Sequence, residues 1–322
     1  MMAPVGVINS QWHDVEAVQR LVLSFLSPID LVRMSSLNKS FHRSTMHSQS
    51  LILTGDDDAR LARCGYGQLV PYFHHSRTLR VSLSFALPNE LLHLTRFRQL
   101  EDVSLVDVAS LGDRHLASLT THAEKLKRLH VDGCHELVCP PLSLPAATQL
   151  KFSNNLKLQS LAIESPCTSL SKVHITSCPS FVAFNTLMAA APNVHTADFT
   201  QSNGLVRFHC QLTWQHLRTL VLDRCAQLAY LEVQAPALTS IRVHHCARLH
   251  QAILCSDKLR SADFSLLPAL QTLYLDCPQL IRLNVTGSYA LQSTGVTLEC
   301  PLLTSNKFHR DGVPAFQAVV FR

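Results

Sequence analysis

The chain is poor in charge. Asp, Glu, Lys and Arg make up only 16% of its 322 residues, and the net charge is +5 with His neutral. So mild an excess does not imply a nucleic-acid partner. Glycine (10) and proline (15) are also scarce, which argues against low-complexity or disordered sequence. No apolar run approaches the roughly 18 residues of a membrane-spanning helix, so no membrane partner is expected. The opening MMAPVGVINSQWHDVE lacks a basic stretch followed by an apolar one, so no secretory signal is expected. The 11 cysteines then read as free thiols in a reducing compartment, cytoplasmic with the nucleus as a second setting. The sequons at Asn38 and Asn284 are expected to stay unmodified there.

What is present is a beat. Leu217, Leu238, Leu259 and Leu280 open units of 21 residues, and the pattern starts again inside each at Leu228, Leu249, Leu270 and Leu291. Self-similarity at this period signals a solenoid, in which each coil packs only on its neighbours. In the unit from Leu217, the stretch Leu220-Val221-Leu222 alternates inward and outward as a short strand does, with Leu217, Leu220, Leu222, Cys225 and Leu228 facing in. A sharp turn follows the strand. Its residue is buried and must satisfy backbone groups, and Cys134, Asn155, Cys178, Cys225 and Cys246 hold that position.

Both halves of the C-terminal units look like strands, so a second sheet is expected on the back, near Leu231, Leu254, Leu273 and Val296. Earlier units are longer: Leu100 to Leu126 spans 26 residues. There Leu111, Leu116 and Leu119 recur at helical spacing, and 181–188 reads as another back helix. The segments LxFxxNxxL at Leu150–Leu158 and LxxLxLxxCxxL resemble leucine-rich repeats, the second the cysteine-containing subtype. The resemblance covers about Leu79 to Leu291. It implies an α/β solenoid with a parallel sheet, helix-backed coils early and strand-backed coils late.

Before the repeats, Val15, Val18, Val22 and Phe25 fall on one helical face. Ser27 is a good N-cap, Pro28 fits the first helical position, and Asp30 stands three residues past the cap. A second helix is expected there, carrying Leu31, Met34 and Leu37, with Phe41 on a third. Phe25-Leu26, Ser27-Pro28-Ile29-Asp30-Leu31, Ser35-Ser36 and Lys39-Ser40-Phe41 resemble an F-box over residues 13–50. The chain departs from that family in lacking its opening Leu-Pro and its later Val-Cys and Trp. The predicted organisation is a helical F-box-like module at 10–50, a helical linker or cap at 51–78, and the solenoid at 79–310.

The resemblance implies a substrate-recognition subunit of a Skp1-cullin-F-box ubiquitin ligase. A Skp1-like adaptor would dock on Phe25, Leu26, Pro28, Leu31, Leu37 and Phe41, bringing the cullin complex with it, and the repeats would hold a target protein. The alternative is a stand-alone leucine-rich repeat scaffold in which these six residues form only the core of a cap, which every solenoid needs.

The outward row of the main strands is predicted as His130, Lys151, His174, Asp198, Val221, Arg242, Asp263 and Asn284. Two residues earlier stand Arg128, Gln149, Lys172, Thr196, Thr219, Ser240, Ser261 and Arg282. On the concave face Arg128, His130, Lys151, Lys172 and His174, with Arg242 further along, suit an acidic or phosphorylated partner.

No HExxH, CxxC, P-loop, GxSxG or full GxGxxG occurs, so neither enzyme nor cofactor is expected. The groups Cys134-His135…Cys139 and His244-His245-Cys246…His250 approach ligand spacing, but Cys134 and Cys246 fall on the buried turn, so no metal is expected. Cys64-Gly65-Tyr66-Gly67 is too short to cradle a phosphate, and Asp56–Asp58 reads as a solvated turn.

Overall fold

The computed structural model describes residues 26–35, 50–54, 70–82, 97–211, 214–304 and 307–311. Alternating apolar residues form short strands, and the strands stack in chain order. Among the described residues twelve parallel strands make the front sheet: Ser50–Leu53, Thr78–Ser82, Asp102–Val106, Arg128–Asp132, Gln149–Ser153, Lys172–Thr176, Thr196–Asp198, Thr219–Val221, Ser240–Arg242, Ser261–Asp263, Arg282–Asn284 and Phe308–His309. One inward position runs through the register as Leu79, Val103, Leu129, Leu150, Val173, Ala197, Leu220, Ile241, Ala262 and Leu283. All ten are at most 2% exposed, so one core runs the length of the sheet. Each inward aliphatic side chain contributes about 1.5–3 kcal/mol, and only neighbouring coils supply the surface that buries it.

The back of the solenoid changes along its length, as the unit lengths require. The 26-residue step from Val103 to Leu129 leaves room for a helix, Asp113–His122, which buries Leu116 and Leu119. Helix Phe184–Ala190 backs a later coil and buries Phe184, Leu187 and Met188. From there the back is a five-stranded parallel sheet: Arg207–Gln211, Tyr230–Gln234, Gln251–Cys255, Thr272–Asp276 and Val296–Glu299. Its strands contain the four positions expected, with Leu231, Ala252, Leu273 and Val296 in register. A short pair, Pro141–Leu142 with Ala162–Ile163, backs the coils between the two helices. Aromatic residues fill the change from helix to strand: Phe184 stacks on Phe208 at 4.6 Å, and Phe199 packs between Phe208 and Trp214 at 5.9 and 6.5 Å.

The inward turns share one device. After the front strand comes a residue in the left-handed region, in order Asp107, Gly133, Asn154, Ser177, Gln201, Arg224, His245, Leu266 and Gly287. These mark about nine turns of the solenoid. Glycine suits two of them because it takes positive φ without a Cβ penalty, and at Gly133 a Cβ would collide with the Asp107 carboxylate. The next residue is the buried turn residue. At seven of the nine turns its side chain donates to a carbonyl of the coil before, and at the other two it is apolar, Val108 and Leu267. Cys225 Sγ reaches Phe199 O at 3.1 Å and Cys246 Sγ reaches Leu222 O at 3.0 Å. Ser202 and Ser288, which the repeat alone does not single out, do the same to Ile175 O at 2.7 Å and Phe264 O at 2.9 Å. Asn155 does more: Nδ2 donates to Val131 O at 3.1 Å while Oδ1 accepts from Cys134 N–H at 2.9 Å.

The first described element is helix Pro28–Ser35, with the predicted start. Ser27 Oγ accepts from Asp30 N–H at 3.2 Å and donates to Asp30 Oδ2 at 2.8 Å. The helix lies beside strand Ser50–Leu53, and its Ile29, 5% exposed, joins the core. The linker expected over 51–78 contributes part of that strand and helix Val70–Phe73. The predicted first and third N-terminal helices lie outside the described residues.

Candidate functional site

Two surfaces carry the sequence expectations. The first is the N-terminal helix. Pro28 and Ile29 are buried, whereas Leu26, Leu31 and Val32 are half-buried. Leu31 and Val32 pack partly against the core while keeping apolar surface open. Phe25, Leu37 and Phe41 lie outside the described residues. Of the six expected docking positions, the structure therefore shows Leu26 and Leu31 open to contact and Pro28 used internally.

The second is the outer face of the front sheet, predicted as the concave face. The register places His130, Lys151, His174, Asp198, Val221, Arg242, Asp263 and Asn284 side by side, as the repeat required. Arg128, Gln149 and Lys172 form the row beside it. Arg128, His130, Lys151, Lys172 and His174 thus come together on three adjacent strands, and Arg242 stands three strands further along.

Acidic residues interleave with this basic cluster. Arg128 is bound by Asp102 at 2.7 and 3.1 Å, and beside it Lys127 is bound by Glu101 at 2.8 Å. The Lys127 hydrogen bond is the main cause that holds the Glu101 carboxyl below its ordinary range. His130 lies 3.9 Å from Asp132, 3.3 Å from Ser104 Oγ, and leaves Nε2 buried without a hydrogen bond. Burial lowers the His130 pKa, and Lys151 lowers it further, with Asp132 and Asp102 opposing. His174 lies 3.8 Å from Asp198. Burial would raise the Asp198 pKa, but bonds from His174 and Thr200 outweigh it and hold the carboxyl low. Arg242 is held by Asp223, whose Oδ1 is buried without a partner. Lys151 and Lys172 make no ion pair among the described residues. With Arg80 and Arg282 they are cations this face leaves open among the described residues, and they stand on adjacent strands with Gln149, Ser153 and Thr176 around them.

The counter-charges Asp102, Asp132 and Asp223 were legible by the same two-residue alternation that placed Lys151, one pair earlier or later on neighbouring strands. Their pairing with specific cations was not, because it depends on side-chain reach across strands.

The buried thiols are structural. Burial pushes Cys134 up to about 12 and Cys178 and Cys300 up to about 11. Cys225 is raised by its hydrogen-bonded contact with Cys246 and by burial. Thiols held protonated this far above neutrality are poor nucleophiles and poor metal ligands. Among the described residues no group of three or more His, Cys, Asp or Glu could hold a metal ion, and no helix is long and apolar enough to cross a membrane.

Comparison with known proteins finds no matching family and no matching curated relative. Among solved structures, the chain is similar to one described as the complex of Rad7 and Elc1 in yeast, at 14% identity and a TM-score of 0.31, covering 99% of each chain. A likeness this loose leaves the functional reading to the chain's own residues.

Proposed function

We propose that this protein is the substrate-recognition subunit of a cullin-based ubiquitin ligase and is not itself an enzyme. The observation that carries the reading is the N-terminal helix. It sits in the F-box-like segment with the predicted Ser27–Asp30 cap formed, and it leaves Leu26 and Leu31 half-open beside the first coil. A Skp1-like adaptor would cover those apolar side chains. The polar outer face of the front sheet, with Lys151 and Lys172 available, would hold the target, in the cytoplasm or nucleus. The burial of Pro28 and Ile29, on a helix that lies beside strand Ser50–Leu53, favours a second reading, in which the helix only caps a stand-alone scaffold.

The two are separated by recovering the full chain from cells beside Leu26→Asp/Leu31→Asp. Adaptor and cullin recovered with the wild type, and lost with the variant, support the first reading. Neither recovered with either protein leaves the scaffold.

A further inference from the structure

The outer face of the front sheet changes sign along its length. Strands Gln149–Ser153 and Lys172–Thr176 carry Lys151 and Lys172, both without an ion pair among the described residues. On the N-terminal side their neighbours are Arg128, already bound to Asp102, and His130 facing Asp132. One strand further, the sign reverses. Asp198 and Asp263 stand in the outward row and Asp223 just past strand Thr219–Val221; the guanidinium among them is that of Arg242, on strand Ser240–Arg242, and it is engaged by Asp223. Asp263 accepts at Oδ1 from Ser265 Oγ at 2.6 Å and Ser265 N–H at 3.1 Å, with no cation paired to it. Arg282, on the next strand, makes no ion pair with it among the described residues. His174, between Lys151 and Asp198 in the outward row, marks the boundary.

We infer that this face binds an extended protein segment with two ends of opposite charge, an anionic cluster over Lys151 and Lys172 and Lys or Arg side chains over Asp198 and Asp263. This deepens the proposed function, and rests on it, by describing the target segment. The sheet sets the spacing. Strand Gln149–Ser153 is five strand steps from Ser261–Asp263, and Lys172–Thr176 is four. At about 4.8 Å per step the lysines stand roughly 19–24 Å from Asp263, which an extended chain spans in about six or seven residues, and Asp198 lies about 5–10 Å from them along the way. A uniformly acidic segment of that length would place carboxylates over Asp198 and Asp263, where like charges repel.

The test uses the purified full chain without adaptor and fluorescent peptides of about nine residues. One has two Glu at one end and two Lys at the other across a Gly-Ser spacer. A second replaces the Glu pair with phosphoserine, a third is acidic throughout, and a fourth basic throughout. At low salt the bipolar peptides are expected to bind at least about tenfold tighter than either uniform peptide. Lys151→Glu/Lys172→Glu should lower bipolar binding about tenfold. Asp263→Asn, which keeps the side chain's shape, should lower bipolar binding several-fold and strengthen the uniformly acidic peptide. Phosphoserine tighter than Glu assigns the anion to phosphate, and equal binding assigns it to carboxylate; both support the inference. An acidic peptide that binds as tightly as the bipolar ones, or bipolar binding unmoved by Asp263→Asn in a variant with unchanged circular dichroism, overturns it. Because no adaptor is present, this outcome is independent of adaptor recovery from cells.

Discussion

His130 shows how one side chain reports on the candidate surface. Its pKa is depressed by burial first and by Lys151 second. The neutral ring is therefore favoured in the folded state. A depressed histidine contributes stability above its unfolded value, near 6.5, and loses that contribution as pH falls through the window down to its folded value. Removing the neighbouring cation should narrow the window. In Lys151→Ala, the His130 titration followed by NMR should move up toward the ordinary value, and stability at about pH 6 should fall less steeply than in wild type. An unmoved titration would mean that the Lys151 ammonium does not act on the ring. The outward position of both residues was legible from strand alternation. The partial burial that depresses His130 was not, because it depends on how neighbouring side chains close over the ring.

At the scale of the element, the unit is the coil, and its cohesion depends on what the buried turn residue does. Cys225 and Cys246 each reach a carbonyl of the preceding coil, and Asn155 both donates and accepts. Substituting Asn155 removes its bond to Val131 O and leaves Cys134 N–H buried without its side-chain partner, a loss of about 1–3 kcal/mol for that unsatisfied group. Asn155→Ala should therefore lower the urea midpoint clearly, whereas Cys225→Ser, which keeps a donor of similar size, should shift it less. Equal shifts would deny the special weight given to Asn155. The 21-residue beat made the C-terminal coils and their back strands readable, because each half-unit is too short for anything but a strand. The longer early units made the helices readable in the same way. Val108 and Leu267, which follow the left-handed residues Asp107 and Leu266, hold the turn position with no polar side chain. The repeat therefore did not require a hydrogen bond at every turn. Nor did spacing reveal that the front sheet begins at Ser50–Leu53, since that strand lies in an irregular stretch with no repeat to align it.

At the scale of the molecule, a core of stacked coils runs between a capped helix and an open polar face. The helix start was fully legible: Ser27, Pro28 and Asp30 form the expected cap because each local preference agrees with the next. The use of the helix was legible only in part, since the same apolar pattern serves a cap and a docking site. Burial separates the two, with Pro28 and Ile29 turned in and Leu26 and Leu31 half-open. The most direct test of the ligase reading is therefore binding in solution. Mixing the purified full chain with a Skp1-like adaptor and following the mixture by size-exclusion chromatography with light scattering should give a stoichiometric complex. That complex should be lost in Leu26→Asp/Leu31→Asp and kept in Lys151→Glu/Lys172→Glu. No complex with the wild type, or one that survives Leu26→Asp/Leu31→Asp, would contradict adaptor docking on this helix.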